Sequence, residues 1–268
     1  MAETVTLEYR GKIAVITIEN ETKLNALNQD GYYQLAKYMR EVATHDKVFI
    51  TVLTGKGRFF SAGADVSISE SRPEGDIEKH WLQNFVANNL NITHAFYTHP
   101  KILVAALNGP AIGLSAALIA FADFIYCVPS TFLLTPFSSI GLVAEGGASK
   151  AFVQRLGISK ANEALIMSKR ITSEELLQVG FVNKIFDCEK GEDEKFRGLV
   201  FEEIENRLGD HLNGESLIKI KALIRKPERE VMDAQGVAEV FGGLERFASG
   251  VPQEEFRKLA SGEKRHKL

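Results

Sequence analysis

Cysteine is nearly absent: Cys127 in an apolar run and Cys188 in an acidic stretch are the only two in 268 residues. That number and spacing exclude a disulfide framework and a zinc site, so no metal is expected and a reducing compartment fits. Excess positive charge is missing as well. The formal net charge is −3, far from the basic signature of a nucleic-acid binder. The longest apolar stretch, "ILVAALNGPAIGLSAALIAFADFIYCV", is broken by Asn108, Gly109 and Pro110 and again by Asp123. It predicts a buried strand, a turn and a buried helix, with no membrane span. The opening "MAETVTLEYRGKIAVITIEN" has neither the apolar core of a signal peptide nor the acid-free, arginine-rich character of a transit peptide. His80, His94 and His99 lack the serine or cysteine context of an activated nucleophile. The glycine-containing turns lack the spacing of a P-loop or a dinucleotide fingerprint.

What is present alternates. Short β-branched runs, "IAVITI" (13–18) and "VFITVLTG" (48–55), flank a helical pattern, and "KILVAALNG", "FIYCV", "TFLLTP" and "FVNKIF" add further strands. Helical patterns fall near 77–98, 112–122, 146–156 and 159–168, which makes an α/β class. Strand signals stop near residue 190, and the remainder reads as helices. The polar stretch 67–80, with Pro73 and Gly75, reads as a loop after a tight turn.

Two glycine-containing turns follow apolar strands, "GKGRFFSAGAD" (55–65) and "NGPAIGLSAAL" (108–118). Both can present bare backbone N–H groups, and two such donors aimed at one point hold an oxyanion. The same turns serve equally as tight connections in a packed fold. Further on, "GLVAEGGAS" sets one acid, Glu145, between an apolar run and a glycine pair. Its apolar setting suits a proton shuttle; a helix N-terminal acid is the alternative.

Four ordered stretches, "ETKLNALN", "KGRFFSAGADV", "PKILVAALNGPAIGLSAALIAFADFIYC" and "RLGISKANEALIMSKRITSEELLQVGFVNKIF", resemble the crotonase (enoyl-CoA hydratase/isomerase) superfamily. "GLVAEGG" and "NGPAIGLSAAL" are similar in particular to its fungal peroxisomal Δ3,Δ2-enoyl-CoA isomerases. The resemblance implies a spiral of ββα units over residues 1–200 and a C-terminal helical subdomain over 201–268. It also implies a coenzyme A thioester whose carbonyl oxygen lies between the N–H groups of Ala64 and Leu114. Coenzyme A enters as part of the substrate, so no separate cofactor is expected. A homotrimer or hexamer is implied.

The family's hydratases carry two water-holding glutamates, and this chain has Ala117 and Phe137 at those positions. Glu145 matches the single catalytic glutamate of the Δ3,Δ2-isomerases, and Asn89 is a candidate to orient it. Asp123 is assigned a structural role. Arg58 and Lys23 are candidate partners for the phosphates of coenzyme A. The terminal His266, Lys267 and Leu268 resemble an S-K-L peroxisomal address, which implies an import receptor as partner and a peroxisomal location. The expected reaction moves a 3-enoyl-CoA double bond to trans-2-enoyl-CoA. Hydratase, dienoyl-CoA isomerase and a catalytically silent acyl-CoA-binding subunit are the alternatives.

Overall fold

Strands buried on both faces set the frame. The computed structural model describes residues 4–65 and 75–265. Its strands are β1 (Val5–Arg10), β2 (Ile13–Ile18), β3 (Ile50–Gly55), β4 (Ile102–Leu107), β5 (Ala111–Ile112), β6 (Phe124–Cys127), β7 (Phe132–Leu134), β8 (Ile171–Thr172) and β9 (Lys184–Ile185). Six of them form one sheet in the order β1-β2-β3-β4-β6-β9, and β5-β7-β8 form a small second sheet. From β2 to β9 the large sheet is parallel. Parallel strands need covered faces, which is why β3 and β4 are buried along their whole length and β4 reads as a continuous apolar run.

Alternation inside those runs decides which face each side chain serves. In β4, Leu103, Ala105 and Leu107 join the main core, whereas Ile102, Val104 and Ala106 join a second cluster. The main core is filled by α1 (Gln29–Ala43), the helical segment that begins at α2 (Ile77–Trp81) and ends in α3 (Ala87–Tyr97), α4 (Gly113–Leu118), α5 (Ala148–Leu156) and α6 (Ile158–Leu165). After α7 (Ser173–Gln178), α8 (Asp193–Leu208) covers the opposite face with Phe196, Val200, Ile204 and Leu208. The expected division at residue 200 therefore falls inside α8, a helix packed on the sheet. The chain continues through α9 (Gly214–Arg225), α10 (Arg229–Ala248) and α11 (Val251–Ala260).

The pattern reading missed the edge strand β1, whose outer half is exposed, and the two-residue strands β5 and β8. Of the loop expected over 67–80, residues 67–74 lie outside the described residues. From Ile77 the chain is already helical, capped by the Asp76 side chain, which accepts from Lys79 N–H at 3.0 Å.

Asp123 ties α9 to the sheet. Its Oδ2 accepts from Leu103 N–H at 2.8 Å and meets Lys221 Nζ at 2.6 Å, while Oδ1 lies 3.2 Å from Arg225 Nη2. Lys221 is buried, and desolvation lowers its affinity for its proton. Asp123→Ala leaves that ammonium without its charge partner, so urea unfolding should register a loss of about 3–5 kcal/mol; a loss under about 1 kcal/mol would contradict the anchoring role.

Candidate active site

Two buried asparagines clamp the first glycine turn. Asn25, in the left-handed region at φ 58, donates from Nδ2 to the carbonyls of Lys56 (2.9 Å) and Phe59 (2.7 Å). Asn108 donates to the carbonyls of Gly57 (2.7 Å) and Phe59 (3.0 Å) and accepts from Gly55 N–H at 3.0 Å. Gly109 completes the fit, since a Cβ there would lie 2.2 Å from the Arg58 carbonyl oxygen. Sequence reasoning gave neither asparagine this role, although Asn108 ends an apolar run that a buried amide can terminate.

Past the clamp, residues 61–65 run between two short backbone pairings, Ser61 with Ala111 and Leu27 with Ala64. Leu27 N–H donates to Gly63 O and Asp65 N–H to Leu27 O, both at 2.9 Å. Strand alternation then turns the Ala64 N–H away from Leu27. The second turn lies against the first: a Cβ on Gly63 (φ +88) would lie 2.7 Å from the Ile112 carbonyl oxygen, and one on Gly113 (φ +61) would lie 3.9 Å from Gly63 Cα. Leu114 is the second residue of α4, so its N–H has no intrahelical acceptor, and Ile112 provides no side-chain cap. Beneath the turns run the hydroxyls of Tyr32, Ser115 and Ser61, with Tyr32 3.2 Å from Ser115 and Ser115 2.9 Å from Ser61. Ser61 Oγ in turn accepts from Gly63 N–H at 3.1 Å.

Ala64 and Leu114 line one cavity of about 240 Å³ together with Glu145 and Asn89. Asn89 is buried in α3 and donates from Nδ2 to Glu145 Oε2 at 2.8 Å. A π-helical turn, Leu82–Val86, runs directly into α3; such turns recur at functional sites. Glu145 is half-buried by its own surface, with only the cavity before it, and protein surrounds its carboxyl. Burial, then the nearby Glu239 carboxylate, pushes that carboxyl up to about 8, and the Asn89 hydrogen bond only partly opposes them.

Glu145 does not cap α5. That helix opens on Gly147 (φ 76), which has no side chain to offer. Its first donors are taken instead by Glu239 of α10, which accepts from Gly147 N–H at 2.7 Å, Ser149 N–H at 2.9 Å and the Ser149 hydroxyl. Sequence reasoning missed Glu239; its only signal is one acid inside the apolar run "GVAEVF".

The remaining cavity wall is largely apolar, with Trp81, Phe85, Phe137, Leu142, Phe247 and Phe256, and Gln29, Asn84 and Asn88 add uncharged polar groups. Apart from Glu145, the lining carboxylate among the described residues is Asp65, which Lys23 holds at 2.6 Å. Lys23 is thus brought to the rim through Asp65. Arg58 does not line this cavity; it is exposed in a separate cleft with Lys56, Phe59 and Asp193. Ala117 is fully buried, and a Cβ on Gly146 would lie 2.9 Å from its methyl group. No group of three or more metal-binding side chains occurs among the described residues, and no helix there is long and apolar enough to cross a membrane.

An alanine lies under the glycine pair, a phenylalanine stands in the wall, and one amide-held glutamate shares the cavity with Ala64 and Leu114, in a chain of the crotonase superfamily. The chain belongs to the enoyl-CoA hydratase/isomerase family, whose model matches residues 8–211. It is 65% identical, over the whole length of both chains, to a Delta(3,5)-Delta(2,4)-dienoyl-CoA isomerase of Pyricularia oryzae. It is 32% identical to the 3,2-trans-enoyl-CoA isomerase of Saccharomyces cerevisiae over 99% of this chain and 97% of that one. A yeast Delta(3,5)-Delta(2,4)-dienoyl-CoA isomerase matches at 33% over the full length of both. The fold agrees with a crystal structure of an enoyl-CoA hydratase/isomerase from Pseudoalteromonas atlantica, with a TM-score of 0.84 at 23% identity over 99% of this chain and all of that one. The chain is accordingly an isomerase of this family.

Proposed function

We propose that the protein is a Δ3,Δ2-enoyl-CoA isomerase in which Glu145 carries one proton from C2 to C4 of a 3-enoyl thioester. The observation that supports it most is the Asn89–Glu145 pair, a single carboxyl held by an amide with no cation among the described residues to neutralise it. The C2 hydrogens of such a substrate lie between a carbonyl and a double bond. Ionised Glu145 takes one of them, and the electron pair delocalises as a dienolate with its charge on the thioester oxygen. The N–H groups of Ala64 and Leu114 are the donors for that oxygen. Protonated Glu145 then returns the proton to C4 on the same face, and the double bond comes to rest between C2 and C3. Hydration needs a second acid to hold water, and the buried Ala117 and the wall residue Phe137 give none.

A second reading, dienoyl-CoA isomerisation, is favoured by the 65% identical relative. It uses the same proton removal at C2 but returns the proton to C6, two carbons farther along the chain. We also propose peroxisomal import through His266, Lys267 and Leu268, which lie outside the described residues. A chain lacking these three residues should stay in the cytosol of living cells while its purified activity is unchanged; peroxisomal import of that chain would refute the address.

Assayed side by side on 3-enoyl-CoA, 3,5-dienoyl-CoA and 2-enoyl-CoA, the protein should turn over the first most efficiently and hydrate the last poorly. Preference for the dienoyl substrate would select the second reading, and rapid hydration would reject both. Glu145→Gln should fold, bind acyl-CoA and lose activity by roughly 10³-fold or more. Because the free enzyme's base must be ionised, kcat/KM should fall as pH drops below about 8. Near wild-type turnover by the glutamine variant would remove Glu145 from the reaction.

A further inference from the structure

The mechanism above leaves one buried acid unused. Glu239 is 5% exposed and sits on α10, in the helical region after the sheet. We infer that Glu239 is a positioning residue for the reaction: it holds the Gly146–Gly147 turn so that the Glu145 carboxyl stays on Asn89 in the cavity, and it stands as a like charge behind that carboxyl. The inference rests on the proton-shuttle reading.

The argument begins with the turn. Gly146 (φ +69) and Gly147 (φ +76) are both left-handed, and a Cβ on either would lie within 3 Å of neighbouring side chains. Such a turn can bring Glu145 down onto α4 but cannot cap the helix that follows. A carboxylate from another helix supplies the cap. Three donors converge on Glu239, and Gln235 Nε2 donates to Ser149 Oγ at 2.8 Å, which orients the Ser149 hydroxyl toward Glu239. Burial raises the proton affinity of Glu239, and the three donors oppose that rise by stabilising the ionised carboxylate.

An ionised Glu239 has consequences one turn away. The groups facing Glu145 are Tyr32 from α1, Asn89 from α3 and Glu239 from α10. Tyr32 is neutral, its proton held more tightly by burial. Glu239 therefore supplies the one charge in this set, and it is of like sign. It makes Glu145 a stronger base than burial alone would, which suits abstraction of a weakly acidic C2 proton. It also couples the seating of α10 to the readiness of the site.

The test compares pH profiles of kcat/KM. In Glu239→Gln the acid limb should move down by about one pH unit, because the like charge is gone while the burial of Glu145 remains. Met232→Ala is the comparison for a purely structural role: Met232 Cε would lie 2.8 Å from a Cβ on Gly147, so its loss loosens the same turn without changing charge. It should lower the melting temperature and kcat and leave the limb in place. If Glu239→Gln does not fold, Glu239→Asp replaces it, and withdrawing the charge by one methylene should still lower the limb. A limb unmoved in whichever variant folds, or moved equally by Met232→Ala, overturns the inference. An active Glu145→Gln enzyme would instead overturn the shuttle reading itself, so the two failures are separable.

Discussion

A carboxyl group buried beside another carboxylate, with no cation beside it among the described residues, governs this molecule. Glu145 pays for its position: relative to a solvated glutamate, it binds its proton too well. Between the ordinary carboxylate range and about pH 8 the unfolded chain releases that proton and the folded chain keeps it. Folding stability therefore falls as pH rises through that window, by several kcal/mol in all. The sheet and the two hydrophobic clusters absorb this cost. Under the proposed function, the same burial leaves a base strong enough for an activated C–H bond, in a cavity whose other walls are largely apolar.

The base is useful only if the charge it creates has somewhere to go, and backbone geometry decides that. The two turns touch through Gly63 and the Ile112–Gly113 backbone, so Ala64 and Leu114 line one cavity. Asn25, Asn108 and Gly109 fix the first turn, and the Ser61–Ser115–Tyr32 hydroxyls run under both. Donors placed by the main chain need no reorganisation as charge develops. A side chain at Gly63, Gly109 or Gly146 would push apart elements that the chemistry requires in contact.

Much of this was legible in the sequence because the relevant signals are local. The apolar strand runs gave the sheet, and the family resemblance singled out Ala64, Leu114 and Glu145 from the glycine turns and "GLVAEGGAS"; the fold brings those three to one cavity. What was not legible depends on long-range contacts. Sequence reasoning named Asn89, yet Asn84 and Asn88 line the same cavity; that Asn89 is the one buried against Glu145 depends on the fold. Glu239 lies 94 positions after Glu145 and acts through a turn it caps from another helix. Arg58 has the charge expected of a phosphate partner but opens onto a different cleft, since the clamped turn points its side chain outward. The type of isomerase is set by where a proton is returned, a matter of distances within the cavity that no motif encodes.

The most direct measurement follows that proton. A 3-enoyl-CoA carrying deuterium at C2 is converted in ordinary water under single-turnover conditions, and the product is analysed by mass spectrometry and NMR. One glutamate, shielded by an apolar cavity and working on one face, predicts a substantial share of the abstracted deuterium at C4 of the trans-2-enoyl product. Complete loss of that deuterium to solvent at the earliest times would contradict a single carboxyl that both takes and returns the proton.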